Sequence, residues 1–303
     1  MATVQITTWD EFKTALTETI TENTTYEIMN DIDVSGNILT EGIHYKIAYM
    51  KTFKSGIDEN VNINGITTYS NINIFYTNDT ADNSRYLRFE HINFTNFMLQ
   101  EATLFAPRGS TGYSYHIYLS NCFINGLCRR LVTYYGSTET YWPQSVYFNQ
   151  CSINVTFNPD TYQIFTWNVE FNNCYLIFNT TNSITSGYRL FGKTGRFTNC
   201  FIAGSLKCYA SDTYLLNPNW YYSGTSRYSE NNIINMTLEN QRTSGTISAF
   251  SSSTGQAYKN LFNSDKITLA GTSTLATDGY YLTDAQMKSR TYIQENTNFP
   301  LYG

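Results

Sequence analysis

Charge is scarce in this sequence: Asp, Glu, Lys and Arg together make up 14% of 303 residues, and histidine occurs only 3 times. Lys and Arg are scattered singly or in pairs such as Arg129-Arg130, so no basic stripe exists to follow a phosphate backbone, and nucleic acid is not an expected partner. No uninterrupted apolar run approaches the roughly 20 residues of a membrane-spanning helix, so no membrane span is expected. Met1 to Gln5 lack the basic and apolar regions of a secretory signal, so the expected product is soluble and made in the cytoplasm without an export signal. The 6 cysteines form no Cys-x-x-Cys pair and do not read as a disulfide scaffold.

What the chain has instead is aromatic and uncharged polar residues. Aromatics reach 16%, with 26 Tyr, and Asn, Thr and Ser fill much of the remainder, a mixture that favours strands and polar turns over helices.

Internal similarity organises the chain. Leu119-Ser120-Asn121-Cys122-Phe123-Ile124, Phe148-Asn149-Gln150-Cys151-Ser152-Ile153, Phe171-Asn172-Asn173-Cys174-Tyr175-Leu176 and Phe197-Thr198-Asn199-Cys200-Phe201-Ile202 align without gaps. A related copy spans Tyr228 to Ile234 with Asn232 in the Cys place, and Phe89 to Phe94 places Ile92 there. The successive spacings from Ile92 through Cys122, Cys151, Cys174 and Cys200 to Asn232 are 30, 29, 23, 26 and 32 residues, the size of one solenoid coil with loops of variable length. Apolar and polar residues alternate in each copy, as a strand with one buried face requires, and the Asn-like residue interrupts the alternation where a bend belongs. A third apolar element follows each copy, as in Leu104-Phe105, Leu131-Val132, Ile164-Phe165 and Leu190-Phe191.

These features predict an all-β, right-handed, single-stranded parallel β-helix of about half a dozen coils with three sheets. Residues 26–250 are assigned to the coils, 1–25 to an N-terminal cap and 251–303 to a C-terminal coil and cap region. Both caps carry helix-start signals. Thr8-Trp9-Asp10-Glu11 is a capping-box pattern with Trp9, Phe12, Leu16 and Ile20 on one face, expected to plug the first coil. Thr283-Asp284-Ala285-Gln286 is a second, with Leu282 and Met287 placed as a hydrophobic staple, expected to close the other end.

The Phe/Leu-x-Asn-Cys-x-Ile copies resemble the coils of pectate-lyase-like β-helix proteins over roughly residues 26–250. The opening from Thr8 to Asp33 looks like the cap and first coil of bacterial and phage members, and Leu282 to Lys288 is similar to the closing segment of bacterial β-helical surface proteins. That superfamily contains polysaccharide lyases and hydrolases, adhesins, and phage tailspikes, fibres and other virion components. The character of this chain is closest to the phage virion proteins. The resemblance therefore implies a non-enzymatic virion component used in attachment to bacterial surface polysaccharide, with other virion proteins as partners and a homotrimer as one assembly. A polysaccharide depolymerase and a bacterial adhesin module are the alternatives.

Candidate sites are weighed on chemistry. The column Cys122, Cys151, Cys174 and Cys200 would lie in a line about 4.8 Å apart rather than converge, so it reads as core filling and not as a metal site. Asn121, Asn173, Asn199 and Asn231, with Gln150 and His91, read as a stacked amide ladder satisfying backbone groups at buried corners. Glycosidic chemistry needs paired carboxylates, and no matched pair emerges: Glu90 and Glu170 occupy comparable outward positions roughly 14 Å apart at about 4.8 Å per coil, while Asp79 with Asp82 and Asp58 with Glu59 fall in turns. His91 and His116 are read as structural. No catalytic residue, metal or cofactor is assigned. Tyr134, Tyr135, Trp142, Trp167, Trp220 and Tyr221, in or near the loops joining coils, are the candidates for stacking on sugar rings.

Overall fold

The computed structural model describes residues 2–46, 48–76, 85–107, 115–133, 145–158, 163–165, 168–181, 189–191, 195–210, 229–240, 242–247, 260–276 and 279–301. They form a parallel β-solenoid of about 6 turns, with a few short helices. The first sheet has 8 strands: Ala2–Ile6, Thr24–Ile28, Lys51–Ser55, Arg85–Glu90, Tyr115–Ser120, Ser145–Asn149, Asn168–Asn172 and Gly195–Thr198. The second, of 16 strands, carries the other two faces of the prism, because the long strands Ile92–Ala106 and Phe123–Val132 run continuously from one face to the next. The bend falls at Asn96, whose φ is 51°, where the register also shifts. Three faces are thus present, two of them joined by hydrogen bonding. A further pair, Thr246–Ile247 with Thr274–Leu275, stands apart as a 2-stranded sheet.

In-register pairing stacks like upon like. On the inner side of the first sheet the column runs Tyr26, Phe53, Phe89, Leu119, Phe148, Phe171, Phe197. On the second face it runs Ile32, Ile63, Phe94, Ile124, Ile153, Leu176, Ile202, Ile234, Phe262. All of these are buried, and each large side chain removed from water contributes about 2 kcal/mol before entropy is counted. Rings in the first column stack face to face, Phe148 on Phe171 at 4.9 Å and Phe171 on Phe197 at 5.2 Å.

The corner between the first and second faces explains the repeat. His91, Asn121, Gln150, Asn173, Asn199 and Asn231 all have φ between 53° and 59°, the left-handed region that Asn tolerates best among residues with a side chain. Asn199 donates to Asn173 Oδ1 at 3.0 Å and Asn231 to Asn199 Oδ1 at 3.2 Å, along a ridge whose residues are half-buried or exposed. Backbone N–H groups at the corner are met by carbonyls of the next coil, as Asn173 N donates to Thr198 O. The amides of Asn173, Asn199 and Asn231 are thus linked in a row along the corner.

One residue further on, Cys122, Cys151, Cys174 and Cys200 point inward, 2%, 2%, 3% and 2% exposed. Each thiol approaches the carbonyl two residues back and one in the preceding coil, as Cys200 does with Thr198 and Phe171. Asn232 and Asn260 continue the column as fully buried amides, and Asn232 Nδ2 donates to Phe197 O at 3.0 Å. The column is a chain of small donors facing the same row of carbonyls. Neighbouring Cys122 and Cys174, then burial, push the Cys151 thiol up, and burial pushes up Cys200 and Cys128, so these groups stay protonated.

Helix α1 (Trp9–Thr17) opens with the expected capping box, Thr8 with Glu11, and buries Phe12, Ala15 and Leu16 in the main core. Strand Ala2–Ile6 precedes it and already pairs in parallel with Thr24–Ile28, and pairing continues to Tyr280–Leu282. The ladder therefore begins before residue 26 and runs past residue 250. Where one C-terminal helix was expected there are two short ones, α2 (Asp284–Met287) and α3 (Arg290–Asn296). Thr283 and Gln286 form the capping box, and Leu282 and Met287 join the same apolar cluster. That cluster contains Leu261, Leu282, Ile293 and Phe299 and is separate from the main core, which holds Phe262. Strand alternation puts Leu261 on the opposite side from Phe262, so the helix pair seals an outer flank of the last coils instead of plugging the open end.

Candidate functional site: the outer face of the first sheet

Alternation in Arg85–Glu90 sends Leu87 and Phe89 inward and leaves Tyr86, Arg88 and Glu90 outward. The same parity applies in the strands that follow, and parallel register lines the outward residues up coil by coil. One column reads Thr52, Arg88, Tyr118, Tyr147, Glu170, Arg196. A neighbouring one pairs Tyr86 with His116.

The middle of this face is a compact aromatic platform. Tyr118 and Tyr147 stack with centroids 4.6 Å apart and planes within 8°. Tyr86 stacks on His116 at 5.5 Å and lies 5.5 Å from Tyr118. The His116 ring is 6.2 Å from Tyr118 and 5.7 Å from Tyr147. The Arg88 guanidinium carbon lies 5.5 Å from the Tyr118 centroid, a cation–π contact.

Burial decides the ionisation of these groups. It pushes the Tyr118 phenol up to about 12, helped by Tyr147 and Tyr86 and opposed by Arg88, so the hydroxyl is neutral. His116 is 9% exposed, and loss of hydration lowers its imidazole to about 4, so it too is neutral near pH 7. Its Nδ1 has no hydrogen-bond partner, nor does Arg88 Nε. The nearest acid to Arg88 is Glu90, at 3.9 Å from a terminal guanidinium nitrogen, an ion pair too long to be a hydrogen bond.

Chemically the middle of this face offers flat ring surface, hydroxyls, the Arg88 cation and two nitrogens without hydrogen bonds, His116 Nδ1 and Arg88 Nε, side by side. Rings, hydroxyls and donors in this arrangement have the chemistry to stack on and hydrogen-bond a flat, oxygen-rich molecule. Catalysis on a glycosidic bond would need a second carboxylate beside Glu170. Glu90 is not its counterpart: Glu170 aligns with Arg88, and Glu90 with Ser120, Asn149 and Asn172 in the next outward column.

A second polar surface lies outside the second face. Asp31, Asp33, Asn62, Asn64, Asn96 and Asn125 border a shallow groove of about 420 Å³. Its side chains are spent on one another, Asn62 donating to Asp31, Asn64 to Asp33 and Asn96 to Asn64. Among the described residues no group of three or more His, Cys, Asp or Glu is placed to hold a metal ion, and no helix is long and apolar enough to cross a membrane.

The sugar-stacking candidates Tyr134, Tyr135, Trp142, Trp167, Trp220 and Tyr221 lie outside the described residues, as do Asp79 and Asp82. The sequence reading missed the platform because it searched the loops. The signal was available in the strands, where Arg88, Tyr118, Tyr147, Glu170 and Arg196 each stand three residues before the corner residues His91, Asn121, Gln150, Asn173 and Asn199. Comparison with protein-family models, curated proteins and solved structures gives no match for the chain.

Proposed function

We propose that this protein is a non-enzymatic, β-helical virion component of a bacteriophage that attaches to bacterial surface polysaccharide through the outer face of its first sheet. The observation that carries the reading is the Tyr118–Tyr147 stack, with Arg88 over one end and Tyr86 and His116 beside it. Sugar rings present an apolar face and a rim of hydroxyls, and a rigid aromatic platform edged with donors complements both at little entropic cost. A solenoid suits this task, since its columns repeat along one axis as a polysaccharide does.

A single platform of this size gives modest affinity, and display of many copies on one particle raises it through effective concentration. Other virion proteins, and a trimer of this chain, are the partners that such display calls for. Quantitative mass spectrometry of purified particles tests the assignment. A fixed number of copies per major capsid protein supports it, and absence from particles refutes it.

One observation favours a second reading, a polysaccharide depolymerase: Glu170 stands in the platform column between Tyr147 and Arg196. Release of reducing ends from a bound polysaccharide, abolished in Glu170→Gln, would establish it.

A further inference from the structure

Two nitrogens of the platform, His116 Nδ1 and Arg88 Nε, have no hydrogen-bond partner, and this sharpens the choice of ligand. His116 is more than nine-tenths buried, yet its Nδ1 lacks a hydrogen bond. Arg88, beside it, has a side chain 44% exposed, and among the described residues its guanidinium meets the Tyr118 ring and, at 3.9 Å, Glu90. Native proteins seldom leave buried polar atoms unmatched, and such atoms clustered in a recognition surface mark places where a ligand atom completes the set. Both groups border the same ring, Tyr118, at 5.5 Å and 6.2 Å.

From this arrangement we infer that the surface around Tyr118 binds an anionic saccharide, whose carboxylate or phosphate group lies against Arg88 and His116 while a sugar ring stacks on Tyr118 and Tyr147. The guanidinium presents parallel N–H groups that match the two oxygens of an oxyanion, which a lone hydroxyl cannot satisfy as fully. The neutral imidazole supplies a further donor in its Nδ1–H tautomer. The loose pairing with Glu90 yields readily to a ligand oxyanion. The inference rests on the saccharide-binding reading of this face and adds the charge of the saccharide to it.

The test is calorimetric titration of the full chain with matched probes: a glucuronate-containing oligosaccharide and its carboxyl-reduced form, and a phosphorylated oligosaccharide and its dephosphorylated form. At least one anionic probe is expected to bind about tenfold tighter than its neutral match, and which pair shows the difference identifies carboxylate or phosphate as the group recognised. Arg88→Lys keeps the charge and removes the fork, so it should erase most of that preference while leaving the thermal unfolding midpoint in place. His116→Asn is the second variant, expected to reduce the preference in the same direction. Equal binding of each anionic probe and its neutral match would overturn the inference while leaving the saccharide reading intact. Binding of none of the probes would overturn both.

Discussion

The Lys51 ammonium donates to the Leu16 carbonyl at 2.7 Å, from a side chain that is fully buried. It also reaches Ala15 O at 2.6 Å and Glu18 O at 2.7 Å, so one cation closes the carboxyl end of α1, where the helix dipole is negative and carbonyls lack partners. The strand Lys51–Ser55 and the plug over the first coil are thereby one unit.

Replacing Lys51 with Met keeps the apolar stem and takes the ammonium donor from the Ala15 and Glu18 carbonyls, while the Leu16 carbonyl keeps the Lys46 N–H at 3.0 Å. The expected cost is about 3 kcal/mol, confined to the N-terminal coils because a solenoid transmits stability mainly between neighbours. Hydrogen exchange of α1 amides should accelerate accordingly, while amides of the Ser152–Phe157 strand keep their protection.

At the corner column, conformation matters more than the side chain. Asn173 has φ 53°, so Asn173→Ala should destabilise by about 1 kcal/mol and Asn173→Gly by far less, despite losing the same amide. Denaturant midpoints of the two variants check the order. If Gly costs more than Ala, the amide ladder outweighs the backbone.

Gly204 makes a harsher demand. Its φ is 108°, and a β-carbon there would fall 2.0 Å from the Phe178 carbonyl oxygen in the adjacent coil. Gly204→Ala should therefore cost more than about 2 kcal/mol, read as a fall in the unfolding midpoint.

His116 gives the fold a pH dependence of known sign. Its folded-state value, about 4, lies below its ordinary value of 6.5, so between these limits the unfolded chain takes up a proton that the buried imidazole refuses. The group's contribution is complete above pH 6.5 and is lost as pH falls toward 4, reaching about 3 kcal/mol. His116→Asn should flatten that part of the stability profile relative to the parent protein. Parallel profiles would show that burial of His116 does not govern its titration.

These relationships differ in how far they could be read from the chain. The Cys and Asn columns were legible because a single residue type recurs once per coil beside fixed apolar neighbours, and the two helix starts because capping boxes are local. Lys51 was not, since a lysine in a strand gives no sign of which way it points until the register of Thr24, Lys51 and Leu87 is known. The flank position of α2 and α3 was equally hidden, because an amphipathic helix shows the same apolar stripe whether it covers an end or a side. The platform fell between these cases. Its members share an offset but not an identity, so no repeated letter drew attention to Arg88, Tyr118, Tyr147 and Glu170.

The central claim is that the outer face of the first sheet binds bacterial surface polysaccharide, and interferometry on immobilised polysaccharide from the host bacterium tests it most directly. The parent protein should bind, and Tyr118→Ala/Tyr147→Ala should bind at least about tenfold more weakly with its unfolding midpoint little changed, as expected when half-exposed stacked rings are removed. Undiminished binding by the double variant would contradict the account.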